Sequence, residues 1–126
     1  MVEVAGILIY HKNDILLFKR SNKVRYNGNW SVAGGHIEHN ETAEEAAKRE
    51  VYEETMIMIS GPIVEMGLYD DGKDMDRYAL FSKELDNKVE PVIDDEHDDW
   101  GWFNKDWLPI PITPFVLESI NEIYKI

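Results

Sequence analysis

Residues 35–57 read GHIEHNETAEEAAKREVYEETMI, and the rest of the chain is read outward from them. Thr42-Ala-Glu-Glu45 has the spacing of a capping box, in which a threonine hydroxyl and a glutamate three residues on satisfy each other's backbone N–H groups. A helix is therefore predicted from Thr42 to about Thr55. At about 100° per residue, Glu50, Glu53 and Glu54 fall at about 0°, 300° and 40° around that helix, so three carboxylates crowd one arc. Glu50 and Glu54, one turn apart, repel by roughly a few tenths of a kcal/mol, a local cost that calls for a compensating cation. Carboxylate oxygens suit a hard divalent ion, Mg²⁺ or Mn²⁺, which keeps several waters and commonly bridges protein carboxylates to substrate phosphates. Arg49 can reach Glu45 or Glu53 one turn away and fix a ligand's rotamer from behind. Ala43, Ala46 and Ala47 keep part of the helix thin, so a sheet or loop can approach it closely.

On the N-terminal side, Val2 to Tyr10 is rich in β-branched residues, Asn13-Asp14 supplies turn chemistry, and Ile15 to Phe18 resumes an apolar run. This predicts a hairpin whose near-continuous apolar strands are covered on both faces. Lys19 to Asn29 is the one basic stretch and reads as an exposed loop, and Asn29 to Ala33 reads as a short strand ending at Gly34-Gly35. On the C-terminal side, Pro62 to Leu68 and Tyr78 to Phe81 are predicted strands joined through Asp70-Asp71-Gly72, and a further strand includes Trp100 to Phe103. Thr113 to Tyr124 places Phe115, Val116, Ile120 and Ile123 at helical spacing, with Thr113 as the cap. Strands and helices in this order predict an α/β/α layering. No repeat, low-complexity tract or linker breaks residues 1–126, which read as a single domain.

The chain carries 13 basic and 25 acidic residues, a net charge of -12, which disfavours nonspecific binding to duplex nucleic acid and points toward cations. It has no cysteine, which removes disulfide frameworks, thiolate zinc sites and cysteine nucleophiles together. The apolar run Ala5 to Tyr10 is cut off by His11 and Lys12, far short of a membrane span. A soluble, cytoplasmic protein without a membrane partner is expected.

The quoted stretch resembles the signature of the Nudix (MutT-like) hydrolases, Gly-x5-Glu-x7-Arg-Glu-U-x-Glu-Glu-x-Gly-U with U aliphatic. Gly35, Glu41, Arg49, Glu50, Val51, Glu53, Glu54 and Ile57 meet its specified positions, and Met56 stands where the family has glycine. The flanks are similar to the family too, in Trp30 before Gly34-Gly35 and in Trp102-Phe103 followed by Leu108-Pro109. The resemblance implies a Nudix-type α/β/α sandwich with a central mixed sheet. It also implies a Mg²⁺- or Mn²⁺-dependent enzyme that hydrolyses the diphosphate linkage of a small nucleoside diphosphate derivative, such as a (d)NTP, ADP-ribose or a sugar nucleotide. It places the metal site at Gly35, Glu41, Glu50, Glu53 and Glu54, with Arg49 orienting a glutamate, and leaves a homodimer open. The general base is not fixed by the signature. A box glutamate can serve, or an acidic residue on a later loop, and Asp94 to Asp99 is such a loop, with Glu96 the favoured candidate for base or extra ligand.

Two other functions are weighed against this one. An enzyme trimming the 5′ end of RNA is disfavoured by the net charge and by the lack of a long basic surface, and a catalytically silent nucleotide-binding module is disfavoured by the intact glutamates. Arg20 and Arg25 are candidates for contact with substrate phosphates, against the plainer role of surface charge. His36, His39 and His97 could suggest zinc, but the oxygen-rich surroundings argue against it. The four tryptophans are expected mostly in the core, with at most one against a nucleobase. After Met56 the apolar run Ile57-Met58-Ile59 suggests that the chain leaves the helix in an extended or right-handed conformation, with Gly61-Pro62 supplying the turn.

Overall fold

The computed structural model describes residues 2–24, 27–70 and 77–125. The strands are β1 (Val2–His11), β2 (Asp14–Arg20), β3 (Trp30–Ser31), β4 (Ala33–His36), β5 (Val64–Asp70), β6 (Arg77–Glu84) and β7 (His97–Asn104). Two helices, α1 (Ala43–Thr55) and α2 (Pro114–Tyr124), complete the order. The strands form one sheet in the order β3-β2-β1-β6-β5, with β4 also beside β1 and β7 beside β2. The β1–β6 pair is parallel and the other pairs are antiparallel, so the sheet is mixed.

The pleat divides the apolar runs between two cores. Ala5, Ile7 and Ile9 of β1, Leu16 and Phe18 of β2, and Ala79 and Phe81 of β6 pack with Ala46, Ala47 and Val51 of α1. Their sequence neighbours Leu8, Ile15, Leu17 and Leu80 pack with Val116 and Ile120 of α2 on the opposite face. This is the α/β/α sandwich, and it explains the runs: a central strand covered on both faces has no solvent side on which to place polar residues. Each fully buried Leu, Ile or Phe contributes about 1.5–3 kcal/mol, so the two helices are held chiefly by this burial.

The hairpin forms with His11 opposite Asp14, so its turn is Lys12-Asn13, one residue earlier than expected. Lys19 and Arg20 extend β2 rather than opening the basic loop, because β7 pairs along the whole of β2. Gly34 and Gly35 do not end a strand. They lie inside β4, opposite Gly6 and Ala5 of β1. β5 begins at Val64, two residues after Pro62. Asp71-Gly72 and Arg25 lie outside the described residues. Thr113 stands at the start of α2 as expected but makes no side-chain cap bond, and its hydroxyl is buried without a partner.

The exit from α1 departs most from expectation. Met56 has φ 62° and ψ 14°, a left-handed cap whose N–H donates to the Tyr52 carbonyl. The chain must reverse there to bury Ile57 and Ile59, and the Thr55 hydroxyl accepts the Ile57 N–H at 3.2 Å. Met56 is itself 57% exposed, so little packing is lost with its side chain. Its left-handed backbone carries a steric cost of roughly 1 kcal/mol that glycine escapes. Met56→Gly should therefore stabilise the protein by about 1 kcal/mol and exceed Met56→Ala in melting temperature. A glycine variant that melts below wild type would contradict this account.

Candidate metal and substrate site

The site is assembled where β4, the following loop and α1 meet. The expected capping box is present: Thr42 Oγ1 accepts the Glu45 N–H at 3.1 Å and Glu45 Oε1 accepts the Thr42 N–H at 2.9 Å. Glu45 is thereby occupied, and Arg49 turns instead to four other groups. Its Nε and Nη2 donate to the two Glu41 carboxylate oxygens at 2.7 and 2.9 Å. Nη1 donates to Glu50 and Glu53, each at 3.0 Å, and Nη2 donates to the His36 carbonyl at 3.0 Å. One planar guanidinium thus ties the loop between Gly35 and Thr42 to the acidic face of the helix. Hydrogen bonds from Arg49 and then from the Glu38 N–H hold the Glu41 carboxyl down at about 2.

The three helix glutamates differ in surroundings. The Glu53 side chain is 55% exposed, whereas those of Glu50 and Glu54 are 16% and 5% exposed. Glu50 lies against Gly35: a Cβ on that glycine would stand 2.4 Å from the Glu50 carboxylate. Glycine at 35 therefore leaves the space the carboxylate fills. Glu54 Oε2 is buried with no hydrogen-bond partner. Burial first, and then the neighbouring Glu50, with Glu96 and Asp94 adding, push the Glu54 carboxyl far above the usual carboxylate range. A buried, unsatisfied carboxylate oxygen among other carboxylates is costly and is relieved by a cation. The donor set, all oxygen with a glycine-made gap beside it, suits a hard divalent ion. Among the described residues no three acidic or histidine side chains form a ready cage, since Arg49 draws Glu50 and Glu53 to itself.

Beside these carboxylates opens a cavity of about 570 Å³. Gly34, Gly35 and His36 line it, as do Glu96 from the acidic loop and Arg20 from the end of β2. Ser21 fixes that loop, since its N–H donates to the Glu96 carbonyl at 2.9 Å and its hydroxyl to the Asp95 carbonyl at 2.8 Å. Burial, then Asp94 and Glu50, raise the Glu96 carboxyl. The cavity extends to an aromatic wall, where Tyr69 and Phe115 stack with centroids 5.4 Å apart and Tyr78 meets Phe115 at 4.7 Å. Asn29, Thr113 and Glu118 add polar groups there.

The structure thus brings Arg20, Gly35, Glu41, Arg49, Glu50, Glu53, Glu54 and Glu96 into one neighbourhood. Sequence reading missed Tyr69, Phe115, Asn29 and Glu118, which come from separate segments with no shared spacing. The tryptophans are elsewhere: Trp30, Trp100 and Trp102 pack against the cores and Trp107 is 81% exposed.

The family model for the NUDIX domain matches residues 2–122. Over 116 residues the chain is 28% identical to a protein of Bacillus subtilis (strain 168) whose naming as an 8-oxo-dGTP diphosphatase is provisional, covering 92% of this chain and 74% of that one. It is 38% identical over 58 residues to a MutT-like protein of Streptomyces ambofaciens, 46% of this chain and 35% of that protein. The crystal structure of a MutT NUDIX hydrolase from Burkholderia pseudomallei superposes with a TM-score of 0.81 at 26% identity, covering 98% of each chain.

Two outcomes are expected of the site. In Gly35→Ala the flexible Glu50 side chain gives way, so melting should change little while Mn²⁺ affinity falls about tenfold in a binding titration. Unchanged affinity would show that Glu50 is free to bind from elsewhere. For Glu54, the raised proton affinity in the folded state means that stability is fully present below the ordinary value of 4.5 and is lost as pH rises toward the raised value. Metal-free protein should therefore melt lower at pH 8 than at pH 5, and Glu54→Gln should flatten that slope and melt higher than wild type at pH 8.

Proposed function

The chain belongs to the Nudix hydrolase family, and on that premise we propose that residues 1–126 act as one domain that hydrolyses the diphosphate linkage of a small nucleoside diphosphate derivative with the aid of Mg²⁺ or Mn²⁺. The observation that carries the reading is the buried, partnerless Glu54 Oε2 among Glu50, Glu96 and Asp94, beside a cavity large enough for a nucleotide.

Glu50, Glu53 and Glu54, with the backbone at Gly35, are the groups that would hold the cation, and Glu41 supports them through Arg49. The cation when bound supplies neutralisation of the phosphate oxygens, without which a polyanion would not enter a chain of net charge -12. Arg20 faces the same cavity and can pair with a phosphate bidentately. The nucleoside end of the substrate lies toward Tyr69 and Phe115, whose rings offer a stacking surface. Glu96 is the base. It takes a proton from the water that attacks phosphorus, as the anhydride P–O bond breaks and the departing phosphate keeps the electron pair. Burial and the neighbouring Asp94 raise its proton affinity, which strengthens it as a base. The composition, free of cysteine, supports a cytoplasmic setting, and among the described residues no helix is long and apolar enough to cross a membrane.

A panel of (d)NTPs, ADP-ribose and sugar nucleotides with Mg²⁺, its products read by mass and its water labelled with ¹⁸O, should reveal one preferred diphosphate and the phosphorus attacked. Chelation should abolish turnover, and undiminished turnover in EDTA would refute the proposal. Glu96→Gln should lower kcat about 100-fold with the fold intact, whereas a change below about twofold would return the role of base to the helix.

A further inference from the structure

One carboxylate oxygen outside the signature holds two groups at once. Asp94 Oδ1 accepts the Glu96 N–H at 3.2 Å and lies 3.1 Å from His97 Nδ1. The His97 side chain is 1% exposed and packs against Phe18, with ring centroids 5.2 Å apart. Its other nitrogen, Nε2, stands 3.7 Å from Glu54 Oε1. The backbone follows the same route, since the Asp94 N–H donates to the Glu54 carbonyl at 3.1 Å. A histidine that only filled space would not have a carboxylate at each end of its ring in so dry a place, where a leucine or phenylalanine would avoid the cost of burying polar atoms. With Nδ1 donating to the Asp94 carboxylate, Nε2 presents its lone pair to the hydrogen that the Glu54 carboxyl carries without metal, so that Oε1 is turned to the ring and the partnerless Oε2 to the site.

We propose that His97, braced by Asp94, is a positioning residue that orients the Glu54 carboxyl group for the cation and couples it to the loop carrying Glu96. The inference rests on Glu54 being a cation ligand, as proposed above. A 3.7 Å approach is long for a hydrogen bond, and such contacts tighten when a site is filled. His97→Phe keeps a ring against Phe18 and removes both nitrogens. His97→Gln keeps a polar amide. Asp94→Ala removes the brace and leaves the ring.

The test is Mn²⁺ affinity of the metal-free proteins, followed by electron paramagnetic resonance, alongside melting curves without metal. His97→Phe should weaken Mn²⁺ about tenfold with melting within a few degrees of wild type, Asp94→Ala should weaken it in the same direction, and His97→Gln should lie between wild type and His97→Phe. Wild-type Mn²⁺ affinity in His97→Phe, where Glu54→Gln has lost affinity, overturns the positioning role while leaving the cation reading standing. Undiminished affinity in Glu54→Gln overturns both, at the cation itself. Should His97→Phe not fold, wild-type affinity in both His97→Gln and Asp94→Ala overturns the proposal, and a loss in Asp94→Ala upholds it.

Discussion

Arg49 reaches Glu50 and Glu53 on the acidic face of α1, and the geometry of the site depends on how its five donors are spent. Two go to Glu41 in a bidentate fork, and the remainder are shared among Glu50, Glu53 and the His36 carbonyl. A lysine could neutralise one carboxylate here but could not hold a loop carbonyl and three carboxylates in one plane. The loop between Gly35 and Thr42 therefore has a defined position before any ligand arrives. What Arg49 does not reach is Glu54, and the residual strain of the cluster collects at that side chain. The site is thus half satisfied by its own arginine and half left for an added cation.

The backbone makes room for this arrangement in two places. Within β4, Gly35 has no Cβ and the Glu50 carboxylate takes the space. Nearby, a Cβ on Gly6 or Gly34 would stand 2.2 or 2.4 Å from the Tyr78 hydroxyl. Tyr78 is partly buried at the wall of the cavity, and desolvation raises its proton affinity, so it serves as a neutral phenol under the glycines. The glycine-rich register between β1 and β4 is therefore a device of volume: it lets a large ring sit on one side and a carboxylate on the other.

Much of this was written in the sequence because local rules determine it. The capping box fixes where α1 begins, a period of 3.6 fixes which glutamates share a face, and alternation within apolar runs fixes a sheet covered on both sides. Met56 was misread because its neighbours are apolar and β-branched, and local preference said strand. The need to bury Ile57 and Ile59 after a reversal outweighed that preference and put an unfavourable residue in the left-handed region. The cavity was illegible for another reason. Tyr69 and Phe115 meet only because β5 and α2 are brought together by the sheet, and no spacing in the chain records a contact across 46 residues (115 less 69). His97 was visible only as one histidine in an acidic run, and its burial between Asp94 and Glu54 depends on the pairing of β7 with β2.

The two kinds of residue divide along that line. Groups that would hold a cation lie within a single helix-and-loop segment, where short spacing suffices to aim them, and they are the same for any diphosphate. Groups that would read the rest of a substrate come from β2, β5, the acidic loop and the start of α2, each free to vary without disturbing the helix. A chain built this way can change what it recognises while its charge geometry stays fixed. It follows that Asp94 and His97 occupy a pivotal position, because they join the segment that is fixed by the helix to the loop that carries Glu96. A shift of that loop would be felt at Glu54 through the imidazole and through the Asp94 N–H to the Glu54 carbonyl, so the spacing between Glu54 and Glu96 is set by the β7 register rather than by the signature itself.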